Sequence, residues 1–241
     1  LEGEKGGKSA YNKDKILGLW KKYITYGGYP KVALAEDADM RKMIISEIGT
    51  SYVKKDILDA GVRNVEKYFA LLKILAAQSG GLVNSMELSN ALGIAHKTVE
   101  EYLYVVRKSY QAVFIRPFYA NVRKELTKMP KVYFCDIGLK NFFLDDYNRI
   151  EKRADRGEYL ENICFIEFLR KTGSADKIKF WRTQDKKEVD FIIGKEAFEI
   201  KFDARQVKDK KYAAFRSAYP EIRLHLLDYN GILEKFYGFK S

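Results

Sequence analysis

The chain has 241 residues, 46% hydrophobic and 14% aromatic, and 44 Lys+Arg against 33 Asp+Glu leave a formal net charge of +11. That length suits two domains, or one large one, with ample core, and the apolar fraction with only four prolines excludes a disordered chain. Cys135, Cys164, His96 and His225 are scattered without CxxC or HxxxH spacing, which argues against a zinc finger, a zinc hydrolase and a disulfide framework. The expected compartment is the reducing cytoplasm. No apolar run nears the ~20 residues that cross a bilayer, so no membrane partner is expected, nor is a secretory signal peptide. The excess charge is uneven: residues 61–130 hold ten basic and five acidic side chains, a balance that permits a nucleic-acid partner without proving one.

Residues 1–10 are rich in Gly and Lys and are expected to form an irregular lead-in. Gly7-Lys8-Ser9 matches the end of a phosphate-binding loop only by chance, because Glu2 stands where that loop needs Gly and no strand precedes it. A short helix is predicted over 16–24, broken at Gly27-Gly28-Tyr29-Pro30, where paired glycines and an X-Pro step force a turn. A second helix over 37–58 carries Met40, Ile44, Ile48 and Tyr52 at helical spacing. The next, Val65–Ala77, places Val65, Phe69, Leu72, Leu75 and Ala76 on one face.

Ser85 is positioned to cap a short helix over 86–92, Gly93 allows a tight turn, and a helix over 95–106 follows with Val99, Leu103 and Val106 on one face. Strands over 112–118 and 131–135 flank a basic loop at 121–128. Three helices followed by a basic hairpin make a winged-helix arrangement. If it binds DNA, the 95–106 helix enters the major groove by its first turn, His96, Lys97 and Thr98, while Arg116, Arg123, Lys124 and Lys128 hold phosphates. Glu100 and Glu101 oppose that approach, and packing against protein is an equally good use of the module.

The last hundred residues change pattern. A helix over 157–171, strands over 178–182, 188–193 and 197–202, a helix over 206–218 and a strand over 222–227 give the order α-β-β-β-α-β. Strand alternation sets Glu199 and Lys201 on one face, away from Phe198, Ile200 and Phe202, and Asp190 opposite Val189 and Phe191. Glu161 lies within the apolar arc of its helix, so it needs a cation or a donor to meet it. Three carboxylates and a lysine suit one or two Mg²⁺ ions acting on a phosphodiester; the bland alternative is a structural ion-pair cluster in which Lys201 neutralises Glu199. Arg182, at the end of a strand beside this surface, is either a phosphate contact or a solvated side chain.

This pattern resembles the PD-(D/E)xK phosphodiesterase superfamily, the restriction-endonuclease-like fold, whose helix acid, strand Asp and (D/E)-x-K match Glu161, Asp190, Glu199 and Lys201. The resemblance implies metal ligation by Glu161, Asp190 and Glu199, with the Ile200 carbonyl as a further ligand. Some relatives also carry Q-x-x-x-Y on the next helix; here Gln206 is followed by Lys210, and Tyr212 is out of register.

Y-G-G-Y-P (26–30), L-S-N-A-L-G-I-A-H-K-T-V (88–99), K-x-P-K-V-Y-F-C-D-I-G-L (128–139), G-E-Y-L-E-N (157–162), F-W-R-T (180–183), E-V-D-F-I-I and E-I-K together resemble one family. It is that of the archaeal and bacterial AAA-type predicted ATPases that carry a C-terminal domain of unknown function. The resemblance implies that the chain is the portion following the ATPase core, since it holds no Walker A or Walker B stretch; ATP is expected only for a longer parent. The expected fold is therefore mixed α/β (α+β): a helical segment (1–63), a winged-helix domain (64–137) and a nuclease-like domain (138–241). The expected function is a nucleic-acid-interacting region with a Mg²⁺-dependent nuclease-like site and, as partners, DNA and its own or a partner's ATPase domain. The alternative is an inactive nuclease-like fold that regulates the ATPase or binds a partner.

Overall fold

Helix α1 (Gly3–Tyr26) runs through the Gly/Lys-rich stretch as well as the predicted 16–24, so the irregular lead-in does not hold from Gly3 onward. The computed structural model describes the backbone of residues 3–119, 121–203, 205 and 209–238, and the side chains of all these but 3–13, 52, 56, 122, 124, 209 and 210. Trp20 and Ile24 of α1 are buried, and α1 stops where the glycines demand, with Gly27 at φ +84°. Pro30 opens α2 (Pro30–Leu34) at a first-turn position where its missing N–H costs nothing.

α3 (Ala38–Glu47) passes through a π turn at Ile48–Tyr52 into α4 (Val53–Asp59), which together make the helix expected over 37–58. Its buried face is Arg41, Ile45, Gly49, Val53 and Ile57, one position round from the expected stripe; Met40 is exposed, and the Tyr52 side chain lies outside the described residues. The reason is close approach: a Cβ on Gly49 would sit 2.3 Å from the Phe142 ring, so only the face bearing that glycine can pack there.

α5 (Val65–Ala77) buries Tyr68, Leu71, Leu72, Leu75 and Ala76, with Val65 and Phe69 at the margin. α6 (Ser85–Leu92) is capped by Asn84 rather than Ser85, because the Asn84 amide oxygen accepts from the N–H groups of Met86 (3.0 Å) and Glu87 (3.4 Å). Gly93, at φ +63°, turns the chain into α7 (His96–Lys108). Strands β1 (Ala112–Pro117) and β2 (Lys131–Phe134) pair antiparallel, Ala112 opposite Phe134 and Ile115 opposite Lys131. The basic segment between them contains a helix, α8 (Val122–Thr127).

α9 (Ile137–Leu144) begins at Asp136, whose carboxylate accepts from the Leu139 N–H at 3.0 Å and from the Gly28 N–H at 2.7 Å. One half-buried acid thus caps α9 and fastens the turn after α1, and loss of water around it raises its pKa against the pull of these N–H groups. Then come α10 (Arg156–Thr172), β3 (Lys179–Arg182), β4 (Glu188–Ile193), β5 (Glu196–Ile200), α11 (Ala213–Ala218), β6 (Arg223–Leu227) and α12 (Tyr229–Tyr237). The α-β-β-β-α-β order is present. The helix expected over 206–218 is described as a 3₁₀ turn at Asp209–Tyr212 followed by α11, and Gln206 lies outside the described residues.

The strands form one six-stranded mixed sheet, β2-β1-β3-β4-β5-β6. β1 joins its halves: its first residues pair with β2, while Arg116 and Pro117 pair in parallel with Lys179 and Phe180 of β3. The protein is therefore α+β with a helical N-terminal segment. One sheet face packs with α10, α1 and α12 around Tyr133, Phe165, Phe168, Phe191 and Phe198; the other buries Trp181, Val189, Ile192, Tyr212 and Phe215. Val189 and Phe191, expected on one face, belong to opposite cores, because the β3–β4 register shifts between Lys179 and Trp181. Among the described residues no helix is long and apolar enough to cross a membrane.

A Cβ on Gly27 would lie 2.1 Å from Asp136 Oδ1 at a positive φ, whereas one on Gly18, in α1, meets nothing within 4 Å. Gly27→Ala should therefore destabilise the fold by about 2–4 kcal/mol, and Gly18→Ala should stabilise it by up to about 1 kcal/mol. Urea denaturation of both variants checks the contrast.

Candidate functional site

The four residues of the acidic constellation meet at the junction of α10, β4 and β5. The β4–β5 ladder runs from Ile193 opposite Glu196 to Phe191 opposite Phe198. Beyond it the Ile200 N–H donates to Asp190 Oδ2 at 2.8 Å, so a carboxylate replaces a backbone carbonyl and the strands part around it. Lys201, just past β5, reaches back to Glu199 Oε1 at 2.7 Å and to Asp190 Oδ2 at 4.0 Å. It also donates to the Ile200 carbonyl at 2.8 Å. Lys211 adds a second ammonium to Glu199 Oε1 at 3.0 Å. The other oxygen of Glu199, Oε2, is buried with no hydrogen bond of ordinary geometry, although the Tyr212 hydroxyl lies close enough for Glu199 to help burial raise its pKa.

Glu161 needs a cation or a donor and finds both on β2. Lys131 and Tyr133, two residues apart, share a face of that strand. Lys131 Nζ lies 3.0 Å from Glu161 Oε1, 2.5 Å from Glu188 Oε1 and 3.8 Å from Asp190 Oδ1, with its side chain only 2% exposed. The Tyr133 hydroxyl donates to the same Glu161 oxygen. Asn162, next on α10, fixes the helix to β2: its side-chain oxygen accepts from the Phe134 N–H (2.9 Å) and the Ser79 hydroxyl (2.5 Å), and its nitrogen donates to the Phe134 carbonyl (3.0 Å).

The site is close to charge balance. Glu161, Glu188, Asp190 and Glu199 face Lys131, Lys201, Lys211 and Arg182, the last paired to Glu188. Burial pushes the Asp190 carboxyl well above the usual range, and Glu161 and Glu199 push it further. Glu188 sits below its ordinary value, because Lys131 and Arg182 outweigh its burial. Lys131 and Lys201 are both held above the usual lysine value by these carboxylates, in spite of burial.

A Mg²⁺ site at Glu161, Asp190 and Glu199 would need carboxylate oxygens about 2.1 Å from a common point. Here the ammonium of Lys131 takes the position between Glu161 and Asp190, Glu199 turns to two lysines, and the Ile200 carbonyl accepts from Lys201. Among the described residues no group of three or more His, Cys, Asp or Glu side chains is placed to hold a metal ion. As arranged, the carboxylates are closed around ammonium groups and do not fit a divalent cation. Lys131, Tyr133, Glu188 and Lys211 were not among the residues singled out in the sequence. The available signal was alternation: Lys131 with Tyr133 and Glu188 with Asp190 each share a strand face.

The candidate nucleic-acid residues other than Arg182 sit on α7, β1, α8 and the segment after α8. His96, Lys97 and Thr98 form the first turn of α7, with His96 and Lys97 exposed; His96 Nε2 is 2.8 Å from the Ser85 hydroxyl and 3.6 Å from Glu100. Arg123 and Lys128 are exposed, and the Lys124 side chain lies outside the described residues. Arg116 donates to the Leu126 carbonyl at 3.0 Å, and with Arg107 and Lys128 it lines a groove of about 260 Å³ between α7 and the segment after α8. Arg182 pairs with Glu188, with its side chain 31% exposed.

A family model, Domain of unknown function (DUF8612), matches residues 17–149, more than half of the chain. The chain belongs to this family. A second model, Domain of unknown function (DUF4143), matches residues 156–232. Lys131 therefore comes from the DUF8612 part, and the carboxylates that surround it come from the DUF4143 part. The chain is 31% identical over 183 residues to an uncharacterized protein of Haemophilus influenzae, covering 73% of this chain and 43% of that protein. It is 22% identical over 243 residues to an uncharacterized protein of Methanocaldococcus jannaschii, 97% of this chain and 53% of that one. An uncharacterized protein of Mycobacterium tuberculosis is 25% identical over 179 residues, 73% of this chain and 40% of its own length. The chain thus spans about half the length of the curated relatives it matches. No solved structure matches it significantly.

Lys131→Met leaves the buried Asp190 and the largely shielded Glu161 and Glu188 without their common cation and should cost about 3–5 kcal/mol at pH 7.5. Those carboxylates would then bind protons more readily folded than unfolded, so the variant gains stability as pH falls. In the native protein Glu188, with its depressed pKa, keeps its contribution over this range and loses it only as pH falls below the ordinary carboxylate value of 4.5. The gap between the two proteins should therefore narrow from pH 7.5 to pH 5, as read by urea denaturation at both values.

Proposed function

We propose that this chain is the cytoplasmic, nucleic-acid-interacting C-terminal region of an AAA-type ATPase, and that its PD-(D/E)xK-like module is a charge-balanced scaffold. That module serves regulation or partner binding and does not cut. The observation that carries this reading is the buried ammonium of Lys131 between Glu161, Glu188 and Asp190, where a nuclease of this pattern would need its metal. A saturated ion cluster is worth most as a fixed joint, because breaking it strands buried charge.

Binding is assigned to the other side of the charge distribution. The exposed first turn of α7, with His96 and Lys97, and the groove lined by Arg107, Arg116 and Lys128 offer the cations for contacts to a phosphate backbone. Glu100 and Glu101 are exposed on α7, so phosphate rather than base contact is the expected mode. The ATPase parent rests on the resemblance of the Y-G-G-Y-P and C-D-I-G-L runs and on the greater length of the relatives; ATP and its Mg²⁺ belong to that parent. The rival reading, a Mg²⁺-dependent nuclease, draws on the buried Glu199 carboxylate beside Lys201, whose Oε2 lacks a hydrogen bond of ordinary geometry.

Fluorescence anisotropy with duplex DNA across a salt series tests the binding. Affinity should fall linearly on logarithmic axes, and Lys97→Ala and Lys128→Ala should each reduce the slope by about one. Absence of salt-dependent binding removes the nucleic-acid role. Incubation of labelled DNA with Mg²⁺ or Mn²⁺ should give the same background for the native chain and Asp190→Ala. Cleavage abolished by Asp190→Ala decides for the nuclease.

A further inference from the structure

A second cationic groove shares no lining residue with the one beside α7. It measures about 390 Å³ and runs between the end of α1, with Lys21, Lys22 and Tyr26, and the chain after α9, with Tyr147, Arg149 and the buried Ile150. Among the described residues Glu151 is the one acid of that lining, and Lys21, Lys22, Lys42 and Arg149 form no ion pair. Burial, and after it Asp145, push the Tyr147 hydroxyl up to about 12, so it stays a neutral donor. An anion at a helix C-terminus would meet unanswered carbonyls. Those of Ile24 and Thr25 already accept from the Tyr159 hydroxyl and from the Asn141 amide, the latter at 2.8 Å.

The groove also has an aromatic wall. The rings of Tyr26 and Tyr147 stack with centroids 6.0 Å apart and 22° between their planes. Arg41, 7% exposed, lies 5.6 Å from the Tyr26 ring centre, and its guanidinium donates to the carbonyls of Ala35 and, at 3.1 Å, of Glu36, which fixes that side of the pair. The Tyr147 ring carries the exposed ammonium of Lys42, 5.6 Å from its centre. A nucleobase stacks on such a ring more strongly than an exposed ammonium does, and the displaced ammonium is then free for phosphate. In a duplex the base faces are already stacked on one another, so only an unpaired nucleotide can offer one.

We infer that this groove is a binding site for one unpaired nucleotide, its base on Tyr147 and its phosphate among Lys21, Lys22 and Arg149. A single strand and a free mononucleotide both offer that chemistry. The inference rests on the nucleic-acid reading above for the class of ligand alone, and it uses no residue of α7.

Fluorescence anisotropy of the full chain with labelled oligo(dT), with a duplex of equal length, and with thymidine monophosphate as competitor tests it. Tyr147→Leu should weaken oligo(dT) binding about tenfold and leave the duplex affinity unchanged, whereas Tyr147→Phe should keep the native affinity. Arg149→Ala should lower the salt slope for oligo(dT) by about 0.7. Displacement of oligo(dT) by the monophosphate at equal affinity supports the site and assigns it to free nucleotide; displacement by unlabelled strand alone supports it and assigns it to single strands. If Tyr147→Leu is unfolded by circular dichroism, the exposed Lys22→Ala and Arg149→Ala carry the test. Oligo(dT) binding that is absent, or unaltered in the folded variants, overturns the inference even where duplex binding through Lys97 and Lys128 persists, and so does an equal loss for the duplex. Tyr147-dependent oligo(dT) binding by a chain that binds no duplex supports the groove and overturns the α7 reading instead.

Discussion

A lysine ammonium surrounded by carboxylates in the interior is the constraint on which the molecule turns. Removing one such charge from water costs several kcal/mol, and only well-placed counter-charges offset it. Lys131 needs Glu161, Glu188 and Asp190; Asp190 is itself buried, and Glu161 and Glu188 have side chains only 12% and 17% exposed. The dependence is mutual, so the group forms whole or not at all. Tyr133, Lys201, Lys211 and Arg182 extend it by taking up the remaining carboxylate oxygens or neighbouring charges.

Such a cluster demands exact placement of four elements, and the backbone supplies it. The parallel pairing of β1 with β3 makes the hairpin and the C-terminal strands one sheet, which brings β2 alongside α10. Asn162 then satisfies both the N–H and the C=O of Phe134, locking the helix to the strand at the residue beside Glu161. Where β4 and β5 part, Asp190 takes the Ile200 N–H and its carboxylate is fixed by the sheet edge itself. A second polar joint, at Asp136, ties the turn after α1 to the start of α9. Gly138 of C-D-I-G-L packs against the backbone at the start of Y-G-G-Y-P there, since a Cβ on it would lie 2.1 Å from the Tyr26 carbonyl oxygen.

Charge is thereby sorted within one basic protein. The negative side chains that matter are interior and answered; many of the positive ones on α7 and near α8 face outward. A surface of that sign attracts a polyanion over a Debye length, while the inner acids, already neutralised, add little repulsion.

Much of this was legible in the residues themselves. Helical spacing located α5 and α7, glycines marked the ends of α5 and α6, and the α-β-β-β-α-β order followed from strand alternation. The misfit of Glu161 on an apolar arc even announced that a cation or donor had to meet it. Local pattern could not say which one, because Lys131 lies thirty residues away and its approach depends on how β1 pairs. Nor could it foresee the shift in register that sends Val189 and Phe191 to opposite cores, or the glycine that rotates the buried face of α3 and α4. Periodicity reports what a segment can bury; which charge answers which, and on which face a strand spends its alternation, is decided only when distant segments compete for the same interior.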